Sequence, residues 1–166
     1  MPEMTRQVKI NASKEKTWEI LADWGAVSNW APTITESHTT TEAKRGVGSV
    51  RSCDHIQMGA IEEEIVTWEE GSSLSYDVIK GLPMPMKSLN NNWSVSAEGD
   101  GSVVTLTMNF EMKFGPLGAL MAALAVRRMM DKEMGLSLAG LKQYNETGEV
   151  VAAVSDVSEG SLAAVT

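Results

Sequence analysis

The chain has 166 residues, 43% of them hydrophobic, enough for one substantial core and too few for two independent domains. With 22 acidic against 14 basic residues the formal charge is -8, which argues against a surface built to follow phosphate backbones or anionic headgroups. No stretch reaches the roughly 18 apolar residues of a membrane span, no apolar run follows the first charges, and Cys53 stands alone, which excludes an intramolecular disulfide and a cysteine-based zinc cluster. A cytoplasmic domain held by packing is expected, with neither nucleic acid nor an integral membrane association among its partners.

Gln7-Val8-Lys9-Ile10-Asn11 alternates polar and apolar residues, as a strand with one buried face does. Ser13 then stands where a helix N-cap belongs, and Trp18, Leu21 and Ala22 fall at helical spacing before Gly25. A second short helical turn over Ala26–Trp30 should end at Ala31-Pro32, since proline steers the preceding residue out of the helical region. From Ile34 to Phe114 turn signals separate about six candidate strands, with breaks at Lys44 to Gly48, Gly59, Glu70 to Ser72, Gly81 to Pro85 and Glu98 to Gly101. The clearest strand runs from Val104 to Phe114, where every second residue is apolar.

After Gly115-Pro116 the period becomes helical until about Asn145, with Gly148 as the stop. Leu117, Leu120, Met121 and Leu124 share one face and Met130, Met134, Leu138 and Leu141 another, which predicts a kink or a separate first turn. Residues 1–148 then form the domain and 149–166, without a strong period, a flexible tail. A sheet followed by one long helix buries that helix on its concave face, an α+β helix-grip architecture in which two short N-terminal helices close one end.

Val8-x-Ile10-x-Ala12-Ser13, Thr17-Trp18-Glu19-Ile20-Leu21-Ala22-Asp23-Trp24-Gly25 and Asn29-Trp30-Ala31-Pro32 resemble, in order and spacing, the START-like polyketide cyclase/dehydrase and lipid-transport family of the SRPBCC superfamily. So do Gly46-Val47-Gly48-Ser49-Val50-Arg51, Ile61-Glu62-Glu63-Glu64-Ile65 with Trp68, and Leu74-Ser75-Tyr76, so that the resemblance covers about Gln7 to Glu146. It implies a cavity between sheet and long helix that holds lipids, polyketides or other apolar ligands. It also implies that Arg51 faces inward and that Glu63 lies on the next strand.

An inward Arg51 needs a partner, because an isolated buried charge is very costly, and Glu63 is the candidate. The pair reads either as a polar anchor or acid/base element, or as a brace within the sheet. Cys53 and His55 share the strand parity of Arg51, and Tyr76 alternates with Leu74 and Val78 while Ser75 and Asp77 should face water. Two phases are open for the following strand: Asn92 inward, which the resemblance favours, or Trp93 and Val95 inward, which hydrophobicity favours. Met84, Met108, Phe110, Met121 and Leu124 complete the expected apolar lining, since flexible thioethers suit an adaptable pocket as well as ordinary core filling. Trp30 sits either at the rim or as a seat for the short second helix.

Lys80 to Lys87 carries two prolines and three large apolar residues, and reads as a gate over the pocket, as a hairpin connection whose apolar residues fold back onto the core, or as a surface that a second copy of the chain would cover as a homodimer. No metal-ligand spacing, nucleophile elbow, phosphate loop or dinucleotide fingerprint is present, so no cofactor is expected. The leading expectation is a binder or carrier of a hydrophobic small molecule. The alternatives are a polyketide aromatase/cyclase or dehydratase using Arg51, Glu63 and Tyr76, and a protein-interaction module.

Overall fold

Alternating apolar residues lay one oily face along the longer strands, and such faces need a common cover. A computed structural model describes residues 3–113 and 116–153, with side chains for all of these but 116–123. The strands are β1 (Glu3–Ile10), β2 (Ile34–Thr39), β3 (Val50–His55), β4 (Gly59–Glu69), β5 (Ser73–Lys80), β6 (Met86–Glu98) and β7 (Gly101–Met112). They form a single antiparallel sheet in the order β1-β7-β6-β5-β4-β3-β2. Irregular register at Ile34/Glu36, Glu62/Glu63, Ile65/Thr67 and Met86/Ser88 adds residues on one strand and bends the sheet.

Helix α1 (Lys14–Ala22) begins where Ser13 Oγ accepts the amide hydrogen of Lys16 at 3.2 Å. It buries Trp18, Leu21 and Ala22 as its spacing predicts, and also Thr17, whose hydroxyl lies 3.0 Å from Ser102 Oγ and 3.1 Å from Asn145 Oδ1. A 3-10 helix, Trp24–Asn29, follows in place of the turn expected over 26–30. The long helix α2 (Pro116–Thr147) then lies against β1 and β7 across the inner face. Sheet and helix together make the expected helix-grip fold.

Three details depart from the sequence reading. No separate first turn precedes α2, which runs as one helix from Pro116 to Thr147. Among its described side chains the core contact comes from the Met130, Met134, Leu138 and Leu141 stripe, while Leu124 is 64% exposed; the side chains of Leu117, Leu120 and Met121 lie outside the described residues. Ser75, expected to face water, is buried on the outer face, where its hydroxyl meets Thr67 Oγ1 at 2.6 Å. Residues 154–166 of the expected tail lie outside the described residues.

Gly140 sets how closely α2 approaches the chain that follows the 3-10 helix. A Cβ there would collide with the carbonyl oxygen of Trp30 and lie 2.8 Å from Pro32 Cδ, so the close approach needs glycine. We expect Gly140→Ala to cost about 1–3 kcal/mol by overpacking, read as a lower midpoint in urea denaturation. An unchanged midpoint would mean that α2 can shift away without loss.

Candidate functional site

Antiparallel pairing sets Arg51 on β3 directly opposite Glu63 on β4, both on the concave face. Arg51 Nε donates to Glu63 Oε2 at 2.6 Å, with the two side chains only 5% and 8% exposed. Arg51 Nη1 donates to the carbonyl of Trp24 at 3.1 Å. Its guanidinium carbon stands 3.6 Å from the centre of the Trp24 ring and 5.0 Å from that of Tyr76, a cation between two aromatic faces. Burial, the largest single influence, works against the charge on Arg51, but Glu63, Cys53 and Tyr76 together outweigh it and hold the guanidinium pKa above its ordinary value.

The neighbours of this pair are made chemically quiet. Burial pushes the Cys53 thiol up to about 12, with Glu63 adding to the effect and Arg51 opposing it. Burial likewise raises the Tyr76 phenol, again with Glu63 adding and Arg51 opposing. Arg51 is thus a satisfied brace rather than a free cation.

Beside the brace, the concave face and α2 enclose a cavity of about 50 Å³. Its walls are mostly apolar, with Trp30 meeting Trp93 edge to face at 5.5 Å. Every lining residue is buried except Met58, on the β3–β4 turn, and Glu133, on α2, so these two mark the mouth. Three buried polar atoms of lining residues lack a hydrogen-bond partner: Trp30 Nε1, His55 Nε2 and Asn91 Oδ1. His55 Nδ1 accepts the backbone amides of Gln57 at 3.1 Å and Met58 at 3.2 Å, which leaves the ring proton on Nε2. That nitrogen is 3.4 Å from Glu133 Oε2 without hydrogen-bond alignment, and Glu133 Oε1 accepts from Thr33 Oγ1 at 2.5 Å.

The structure brings Trp30, Arg51, Glu63, Tyr76, Val78 and Met108 to this cavity. Cys53 and Phe110 are buried in the core but do not line it. Asn92 points to the outer face. Leu89, Trp93 and Val95 fix the phase of β6 by burying themselves, and they carry Asn91 inward instead. Met84 is 66% exposed with Lys113 Nζ at 3.4 Å from its sulfur, and no residue of the expected gate at 80–87 lines the cavity. Leu124 borders a shallow outer groove with Met4 and Arg127, and the side chain of Met121 lies outside the described residues.

Asn91, Glu133 and Met58 escape sequence reading. The spacing of Glu133 between Met130 and Ser137, one turn from each, is the signal that could have placed it on the inward side of α2. No helix among the described residues is long and apolar enough to cross a membrane.

A family model described as polyketide cyclase / dehydrase and lipid transport matches residues 1–146. No curated protein sequence matches the chain. Among solved structures, XoxI from Bacillus cereus superposes with a TM-score of 0.72 at 19% identity, over 89% of this chain and 97% of that one. The Zhui aromatase/cyclase from Streptomyces sp. R1128 gives 0.73 at 12% identity, over 87% and 93%. Ara h 8.0201 gives 0.70 at 14% identity, over 88% and 98%. Likeness at these identities is likeness of fold.

Removing one member of a buried ion pair strands the other. Glu63→Leu should therefore cost about 3–5 kcal/mol in chemical denaturation, and the double variant Arg51→Met/Glu63→Leu should recover most of it. Losses that simply add in the double variant would show that the two side chains act separately.

Proposed function

The chain belongs to the polyketide cyclase / dehydrase and lipid transport family, and from that premise we propose that it binds an apolar small molecule between α2 and the concave face of the sheet. The observation that carries this reading is the enclosed, aromatic-walled cavity with its mouth at Met58 and Glu133. A drug-sized ligand needs a pocket of about 300–1,000 Å³, so the cavity of about 50 Å³ must widen on binding. Met58, Met108 and Met130 line it, and unbranched thioether side chains change rotamer at small cost. The protein works on this reading as a cytoplasmic binder or carrier, with the Arg51–Glu63 brace holding the far wall.

One observation favours a second reading, in which the cavity orients a polyketide-like chain for cyclisation or dehydration. His55 and Glu133 face each other at 3.4 Å, and an imidazole beside a carboxylate can exchange protons with an enolisable carbonyl. The brace is a poorer source of such chemistry, since Arg51 is paired with Glu63 and bonded to the Trp24 carbonyl, and burial raises Tyr76.

Native mass spectrometry of gently purified protein, followed by denaturing extraction, should yield a stoichiometric apolar passenger. Returned to fresh protein, it should come back with unchanged mass; a mass lower by one water would favour the catalytic reading, and a protein that carries and takes up nothing would sink both. The mouth is tested separately by stopped-flow uptake of the neutral probe N-phenyl-1-naphthylamine. Met58→Ala should speed association severalfold while Met84→Ala leaves it unchanged, and the reverse pattern would move the entrance to the 80–87 loop.

A further inference from the structure

Three residues that line the cavity beside the Arg51–Glu63 brace each carry a buried polar atom whose hydrogen bonds are not made. Trp30, His55 and Asn91 are 5%, 6% and 3% exposed, and Trp30 Nε1, His55 Nε2 and Asn91 Oδ1 all lack partners. We infer that these three atoms select a ligand bearing an uncharged hydroxyl, phenol or alcohol, and reject carboxylates. This rests on the ligand-binding reading above.

The roles of the atoms follow from their chemistry. An indole nitrogen only donates, His55 Nε2 donates because Nδ1 already accepts two backbone amides, and Asn91 Oδ1 only accepts. A ligand group must therefore accept from an N–H and also donate to an oxygen. A hydroxyl does both with one atom. A ketone or ether answers the donors and leaves Asn91 unpaired; an ammonium answers Asn91 and offers the two N–H groups nothing. An unmade buried hydrogen bond is what discriminates most strongly between such groups.

Charge points the same way. The cationic residue lining the cavity, Arg51, is already held by Glu63, and Glu133 brings a second carboxylate at the mouth. An incoming carboxylate finds no free cation, cannot donate to Asn91 and meets an acidic entrance. Size is consistent too. The existing cavity of about 50 Å³ exceeds the share of one water, about 30 Å³, so the hydroxyl end of the site is preformed and only the apolar body of the ligand needs new space.

The test is a titration of the purified protein at pH 7 with three probes that share one ring system: naphthalene, 2-naphthol and 2-naphthoate. Calorimetry or tryptophan fluorescence reads the affinities. We expect 2-naphthol to bind about tenfold more tightly than naphthalene, the value of one well-made hydrogen bond, and 2-naphthoate to bind most weakly. In Asn91→Leu the naphthol-to-naphthalene ratio should fall to about one. Trp30→Phe keeps an aromatic ring and deletes one N–H, and its reduced ratio supplies the answer if Asn91→Leu does not fold. Naphthoate binding as tightly as naphthol, or a naphthol advantage that survives these substitutions, overturns the inference. Equal binding of naphthalene and naphthol also overturns it, as a trapped water that already satisfies these atoms would produce, while leaving the ligand-binding reading standing. Binding by none of the three removes both.

Discussion

A charge placed inside a protein must be neutralised where it stands, and the guanidinium of Arg51 imposes that requirement on everything around it. Glu63 answers it across the β3–β4 ladder, Trp24 answers it with a carbonyl and a ring face, and Tyr76 supplies a second ring from β5. Three strands and the 3-10 helix are therefore tied to one point. Trp30 ends that helix, so its place over the cavity follows from where Trp24 is held. Gly140 completes the arrangement from the other side by letting α2 rest directly on the Trp30 backbone.

Polarity inside the molecule is thus divided between two kinds of group. The ionic pair is closed: Arg51 donates to Glu63 and to the Trp24 carbonyl, aromatic rings cover it, and burial holds its neighbours Cys53 and Tyr76 in their protonated forms. The neutral groups at Trp30, His55 and Asn91 are open. On the proposed reading, a site whose charges are paired and whose free dipoles are neutral suits ligands with little polarity of their own, because neither partner has to shed a tightly held hydration shell.

Much of this could be read in the sequence. The turns lie where glycine and proline break the alternation, and β7 keeps strict period two from Val104 to Phe110, so the strands follow from local pattern, while the pairing of β1 with β7 does not. The Arg51–Glu63 pair was legible because the family resemblance sets Arg51 inward and Glu63 on the next strand, and a buried charge then demands a partner. The phase of Asn90-Asn91-Asn92 was not, since three identical residues carry no phase of their own and the strand takes it from Leu89 and Trp93. Glu133 was hidden for a related reason: a lone acidic residue on a helix normally faces water, and only the position of β3 and Thr33 reveals what it meets. The apolar loop at 80–87 misled in the opposite way. Met86 is taken into the core and Met84 is left outside, and neither reaches the cavity.

The first strand of the chain pairs with the last. Thr5 and Thr107, whose hydroxyls meet at 3.1 Å, stand 102 residues apart in sequence. During synthesis β1 therefore emerges from the ribosome with no neighbour and waits until β7 has followed it, and such distant pairings carry a loop-closure cost that slows folding. The meander from β2 to β7 can form before that moment, but α2 follows all seven strands, and the concave face that it covers stays an open trough until it arrives.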